Sequence, residues 1–384
     1  MGLTPTAWGL LVLGIGVVVH WRLAARWRPW VLAATGVLAL GPVAPIAVAS
    51  TALGTTALWA ALGRPPGRAR TVTLIAVLLT VLFGFKIALA VTGGKSGLIL
   101  PLGLSFITFR LVHYVVERSR GVLPRQPLGE VLGWILMLPA FTAGPIERLD
   151  HHQRHREATF ARAQLVEGGR RIAWGLIKKL VLADALLGQA MSQIGADADM
   201  VAGGLHFGQL SVAHAWRFAA LSLLHLYLDF SGYTDLAVGA GRLFGLRITE
   251  NFRWPMFARG PADFWRRWHT SLADFCRSYV YMPVLGKTRS PYIALLATFG
   301  TMGLWHAPAP GWILWGLYHA AFMSGALAWT RARRGKGPLP LWTGVLTIPL
   351  TMAYAVAGHG LAALHGHTAA REVPWLFFRM FGYS

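Results

Sequence analysis

The chain has 384 residues, of which 55% are hydrophobic, 12% aromatic and only 13% charged, where an average soluble protein carries about 25% charged residues. With a mean hydropathy of +0.49, this composition excludes an ordinary water-soluble enzyme and points to a polytopic helical membrane protein. The net charge of +21 does not signal nucleic acid, because the positive residues fall in short clusters between apolar stretches and not on one face.

Those clusters are Arg22, Arg26 and Arg28; Arg64, Arg68 and Arg70; Arg118, Arg120 and Arg125; and Arg331, Arg333, Arg334 and Lys336. Loops of this kind stay cytoplasmic. Apolar runs lie near 7–20, 29–48, 50–62, 71–92, 97–117, 129–145, 172–191, 211–230, 232–246, 291–306, 309–329 and 341–364. Roughly 20 apolar residues cross a hydrocarbon core, so these runs read as membrane or re-entrant helices. The first, "MGLTPTAWGLLVLGIGVVVH", has its positive residues after the apolar run and not before it. It reads as a membrane helix with an outside N-terminus, not a cleaved signal peptide. Pro139, Gly144 and Pro145 interrupt the run at 129–145, and basic loops flank it on both sides. That predicts a segment entering and leaving by one side, which is tolerated only where the backbone is buried in protein or lines a cavity.

The longest polar stretch is "ERLDHHQRHREATFARAQLVEGGRR", residues 147–171. His151, His152 and His155 could share a helical face, but Arg148, Arg154 and Arg156 oppose a divalent cation there. A solvated cytoplasmic loop is expected and no metal. Cys276 is the sole cysteine, so no intrachain disulfide forms.

In "LYLDFSGYTDLAVGAGRLFGLRITENF", Asp229 and Asp235 sit in apolar context, where a carboxylate needs a polar cavity or a partner. Arg242 and Arg247 are the partners nearest in sequence, and structural pairing is the plain reading. After Pro261, Phe264, Trp268, Leu272 and Phe275 recur at helical spacing opposite Arg266, Arg267 and Arg277. This predicts one amphipathic helix along the membrane interface, with Trp265, Trp268, Tyr279 and Tyr281 at the boundary. His269 lies within it, and Cys276, seven residues on, falls near the same face. The stretch "GLWHAPAPGWILWGLYHA" then holds His306 and His319 without any formal charge. Their separation is about 20 Å along a straight helix, but Pro308 and Pro310 break that path and leave proximity open. His319 reads as a packing or hydrogen-bonding residue.

The blocks "DFSGYTDLAVGAGRLFGLRITENF", "FWRRWHTSLADFCRSYVYMP" and "MGLWHAPAPGWILWGLYHA", in that order, closely resemble the membrane-bound O-acyltransferases (MBOAT). The likeness is greatest to the bacterial branch of alginate O-acetyltransferase and lipoteichoic acid D-alanyl transferase. With "LGLSFITFRLVHYVVERSRG" and "MLPAFTAGPIERLDHH" it covers about 103–320. The resemblance implies an all-α fold, a bowl of roughly 9–12 tilted membrane and re-entrant helices around a tunnel. An activated acyl group would enter from the cytoplasm and a hydroxyl acceptor from the other face. It also implies His306 as the principal catalytic histidine and His269 as the second. Trp305, Trp265, Arg266, Trp268, Asn251, Asp229, Asp235 and His319 are the candidate substrate-binding residues. Two departures stand out: Ala307 replaces the glycine usual after the principal histidine, and Ser278 replaces the acidic residue common after the arginine matching Arg277.

The chemistry suits a histidine. A hydroxyl attacks a thioester well only when a base takes its proton; imidazole titrates near neutrality, and apolar walls favour its neutral form and exclude water. A thiolate route through Cys276 is opposed by apolar burial, and the resemblance does not mark that residue, so direct transfer is expected.

The reading is therefore a single membrane-embedded acyltransferase domain, 1–384: N-terminal helices 1–96, catalytic core 97–330, and C-terminal helix and tail 331–384. It would be multi-pass in the cytoplasmic (inner) membrane. It would move a short acyl group, acetyl first, from acyl-CoA or an acyl-carrier thioester to a hydroxyl of an extracytoplasmic polysaccharide or other cell-envelope glycan. No bound cofactor or metal is expected. The partners would be the lipid bilayer, the donor or its carrier protein, the glycan acceptor and a separate envelope acyltransferase protein, without nucleic acid. One alternative keeps the fold but acylates a lipid, protein or small metabolite. Another is a transporter or channel with Asp229, Asp235, Lys86 and the histidines along an ion path.

Overall fold

A computed structural model describes residues 5–92, 101–190, 211–335, 337, 340–362 and 373–382. Lys336 and the run ends at 97–100, 191 and 363–364 lie outside them. The regular elements among the described residues are helices, and strand-like pairing is limited to one bridge between Arg156 and Leu246. The chain forms two compact units, Met1–Ile177 with Gly232–Glu250, and Lys178–Ser231 with Asn251–Ser384.

In the first unit the helices are α1 Pro5–Arg22, α2 Arg28–Leu40, α3 Pro45–Ala61, α4 Arg68–Thr92, α5 Leu104–Ser119, α6 Leu128–Ile135, α7 Leu149–Arg154 and α8 Arg162–Leu176. The runs expected at 29–48 and 50–62 divide at 41–44 instead. The sequence there is Gly41-Pro42, and Pro45 takes the first helical turn of α3, where a missing N–H costs nothing. Only α4, among the described residues, is by itself long and apolar enough to cross a membrane, and its most apolar window is 6% buried.

The run at 129–145 is helical only through α6. Beyond it the backbone is irregular, yet Leu136, Met137, Ala140, Phe141 and Ile146 are buried. Buried backbone needs partners, and buried side chains supply them. Arg110 donates to the carbonyls of Trp134 (3.1 Å) and Ala140 (3.2 Å), and the Trp134 indole donates to the carbonyl of Glu147 (3.2 Å). Around them Ile107, Tyr114, Val115, Val131, Ile135 and Leu149 form the core.

α8 continues as wide π-helical turns over Ile177–Leu187. α9, Val212–Leu243, follows as one helix of 32 residues, although two runs meeting at Ser231 were expected. A single glycine at Gly232 weakens a helix by only about 1 kcal/mol, too little to end one whose flanking residues Ser231, Thr234 and Asp235 are buried.

The second unit continues with α10 Pro261–Trp265, α11 Thr270–Cys276, a π-helical stretch Arg277–Tyr281, α12 Met282–Thr288, α13 Pro291–His306, α14 Pro310–Ala332, α15 Gly344–Gly360 and α16 Val373–Met380. α16 was not foreseen; its Leu376 and Met380 pack on Ala215, Ala219 and Ala357.

The single amphipathic helix expected after Pro261 is broken at 266–269. Residues 251–253 run beside the break: the Arg253 N–H donates to the Arg267 carbonyl (2.9 Å), and the Thr270 N–H to the Asn251 carbonyl (3.0 Å). These cross-chain bonds replace helical ones. His269 therefore precedes α11 with φ 44°, ψ 51°, outside the continuous helix on which a shared face with Cys276 was expected.

α13 and α14 form an antiparallel hairpin. Ser290 caps α13 by accepting the Ile293 N–H (3.4 Å), and Pro291 and Pro310 occupy first turns. Residues before proline are driven to extended backbone, so Ala307 and Ala309 are extended and α13 ends at His306. A Cβ on Gly316 would lie 2.7 Å from the Phe299 carbonyl oxygen, and one on Gly303 would overlap that of Trp312. Glycine at both positions lets the two backbones touch.

Candidate functional site

His306, half-buried at the end of α13, stacks on Trp312 at 4.1 Å and meets Trp315 edge-on at 5.7 Å. Its neighbour Trp305 is 4.8 Å away between ring centres and also meets the ring of His269 at 6.3 Å. One buried indole thus meets both histidines that the resemblance marks as catalytic. His269 is itself buried and edge-on to Phe230 at 4.7 Å.

The left-handed backbone of His269 costs a residue with a Cβ roughly 1–2 kcal/mol. Asn251 holds it there. Beyond the bond to Thr270, the Asn251 side-chain oxygen accepts the Ser271 hydroxyl at 2.6 Å, and the His269 carbonyl accepts the Ala273 N–H at 3.1 Å to start α11. Asn251 is fully buried, so its place is beneath the turn.

Trp265 is buried against Phe299 (5.0 Å), His319 (5.1 Å) and Trp315 (5.7 Å), and its N–H donates to the Tyr354 hydroxyl at 3.1 Å. His319 packs on Trp315 at 4.5 Å and hydrogen-bonds the same hydroxyl. The hairpin therefore brings His306 and His319 to one shared indole, which resolves the proximity left open by the sequence. Trp268 stacks on Phe264 at 5.5 Å and packs on Phe252 at 5.1 Å. Arg266 is mostly exposed and paired with Asp263 at 3.3 Å, outside this aromatic group.

The aspartates are ion-paired, but not to the arginines nearest in sequence. In the second unit Asp229 binds Lys179 at 2.5 Å, which also holds Asp184 at 3.0 Å. In the first, Asp235 binds Arg171 at 2.7 Å, which also holds Glu250 at 2.8 Å. Arg242 and Arg247 instead take Glu167 (2.7 Å) and Glu157 (2.9 Å). Residues brought alongside by folding outcompete those close in the chain.

The polar stretch at 147–171 is less solvated than expected, since Glu147, His152 and Gln164 are buried. His151 bonds the Glu147 carboxylate, which raises the histidine's pKa. Burial, with Arg156 and Arg110 adding to it, pushes His152 down to about 3. His155 bonds the His151 carbonyl at 3.0 Å and packs its ring on that of His151 at 4.0 Å, so these two histidines pair while His152 is buried.

Trp312, Trp315 and Tyr354 were not singled out from the sequence. The first two share the His319 face of α14 at spacings of three and four, a signal that helical periodicity offers. Tyr354 carries no local signal.

Helical in its regular elements among the described residues, with apolar residues exposed along several helices and imidazoles packed against aromatic rings, the chain has the features of a membrane protein. The family model of MBOAT, the membrane-bound O-acyltransferase family, matches residues 96–339. The chain is 33% identical over 232 residues to the probable alginate O-acetylase of Azotobacter vinelandii, covering 59% of this chain and 44% of that protein. It is 30% identical over 274 residues to the teichoic acid D-alanyltransferase of Bacillus subtilis, covering 67% of each. Against the peptidoglycan O-acetyltransferase of Helicobacter pylori it is 30% identical over 317 residues, 73% of this chain and 54% of that one. The chain thus spans about half the length of the alginate relatives. It belongs to the membrane-bound O-acyltransferase family.

Proposed function

We propose that the chain is an integral membrane O-acyltransferase that moves a short acyl group, acetyl first, from a thioester to a hydroxyl of a cell-envelope polymer. The observation that carries this reading is the seating of His269 and His306 against one buried indole, Trp305, inside the matched region. The relatives' names, which specify alginate, teichoic acid and peptidoglycan, support an envelope acceptor.

In this mechanism His306 is the base. Its imidazole takes the acceptor's hydroxyl proton as the oxygen bonds to the acyl carbon. The carbon–sulfur bond then breaks, and the imidazolium returns the proton to the departing thiolate. His269 orients the reactants, and Trp305, Trp265 and His319 wall the chamber, with Trp268 and Arg266 at its approach. Asn251, Asp229 and Asp235 hold the scaffold through the bonds described above. The donor is coenzyme A or a carrier protein, loaded on the cytoplasmic side, and an envelope partner completes the transfer.

The same reading makes residues 1–384 one domain, a polytopic bowl around a tunnel in the cytoplasmic membrane. Exposed Leu11, Ile15, Leu53, Val72, Val91, Leu317 and Leu350, spread over α1, α3, α4, α14 and α15, support lipid contact; soluble surfaces rarely carry so much.

The test is transfer from labelled acetyl-CoA to alginate or a peptidoglycan fragment by protein in nanodiscs. Wild type should form a hydroxylamine-labile ester on the glycan, and His306→Gln should lower turnover by roughly 10²–10⁴ while folding normally. A His306→Gln protein keeping more than about a tenth of turnover would remove the base role. Solute flux into proteoliposomes without thioester cleavage would favour the transporter reading.

A further inference from the structure

We infer that Tyr354, on α15 and beyond the residues matched by the family, is a positioning residue that sets the His319 tautomer and ties α10, which leads into the His269 turn, to α14, whose Trp315 backs His306. This rests on the acyltransferase reading above.

Hydrogen-bond valence carries the inference. The indole N–H of Trp265 can only donate, so at 3.1 Å the Tyr354 oxygen must accept it. The oxygen can accept a second bond, but its own proton also needs an acceptor, and among the described residues the other hydrogen-bond partner of this hydroxyl is Nδ1 of His319, to which the proton is therefore assigned. That nitrogen must be bare, and the His319 ring proton sits on Nε2. One hydroxyl thereby orients an indole and selects an imidazole tautomer. α14 is held at the same level by a second bond, from the Tyr318 hydroxyl to the Tyr354 carbonyl (2.9 Å), with the two phenol rings stacked at 5.5 Å.

Both branches lead to the site. Trp265 is the last residue of α10, directly before the turn that presents His269. His319 backs Trp315 at 4.5 Å, and Trp315 meets His306 at 5.7 Å. Removing the hydroxyl would release both at once, and a misplacement of about 1 Å can cost a hundredfold in rate.

The experiment is Tyr354→Phe in nanodiscs, read by ring ¹⁵N NMR of histidine-labelled protein, with the His319 signals assigned by their loss in His319→Asn. Wild type should show His319 fixed as the Nε2–H tautomer, and Tyr354→Phe should show a tautomer mixture. Turnover should fall about tenfold or more, with KM for the thioester changing less than about twofold. Trp265→Phe removes the donor that directs the phenolic proton, so it should also produce the mixture, even if Tyr354→Phe folds poorly. An unchanged tautomer in either folded variant overturns the inference. So does unchanged kcat in Tyr354→Phe. A wild-type protein that transfers no acyl group would refute the acyltransferase reading separately, and the NMR result would still decide the hydrogen-bond arrangement.

Discussion

Cys276 illustrates how backbone geometry changes the chemistry open to a residue. It is fully buried in α11, seven residues beyond His269. On a continuous helix the two would lie on one side, and a thiol beside an imidazole invites an acyl-enzyme. The left-handed turn at His269 breaks the continuous helix on which that relation depends. Cys276→Ala should therefore retain most transfer activity and lose only about 1 kcal/mol of stability, as measured by turnover and thermal unfolding in detergent. A hydroxylamine-labile acyl group on wild-type protein, together with an inactive but folded Cys276→Ala, would establish the covalent route instead.

At the scale of the element, α7 carries two adjacent histidines with opposite responses to pH. His151 is raised above 6.5 by its bond to Glu147. Its contribution is complete below that value and is lost as pH rises through the raised pKa. His152 is held neutral down to about 3 by burial and by Arg156 and Arg110. The unfolded chain would protonate it at about 6.5, so its contribution is present above 6.5 and falls as pH drops. From pH 7 to pH 5 the loss is about 2 kcal/mol. His152→Leu should flatten this acid limb in thermal unfolding across that range. Equal losses in wild type and variant would show that His152 is not the group responsible.

Across the whole molecule, the arginine clusters set the orientation expected in the membrane. Arg22, Arg26, Arg64, Arg68, Arg70, Arg125 and Arg334 are exposed as that reading requires. Arg118 differs, being buried, with its guanidinium donating to the carbonyls of Leu123 and Leu62, each at 2.9 Å. Single cysteines at Arg26, Arg68, Arg125 and Arg334 on a Cys276→Ser background should resist an impermeant maleimide in intact cells and react after permeabilisation. Labelling at Arg334 from outside would overturn the orientation.

The amino-acid sequence by itself determined the helical class and the courses of α1, α4, α13 and α14. Apolar length, helical period and proline position act within a few residues, so they are legible locally. It also marked His269 and His306 through motifs that lead to the family. Tertiary structure alone decided that Lys179 and Arg171 hold Asp229 and Asp235, that the chain breaks at 266–269, and that Tyr354 joins Trp265 to His319. Each of these depends on which segment lies alongside another, and hydrogen bonds and ion pairs reach only a few ångströms. Partners separated by tens of residues in the chain become neighbours only when the helices pack.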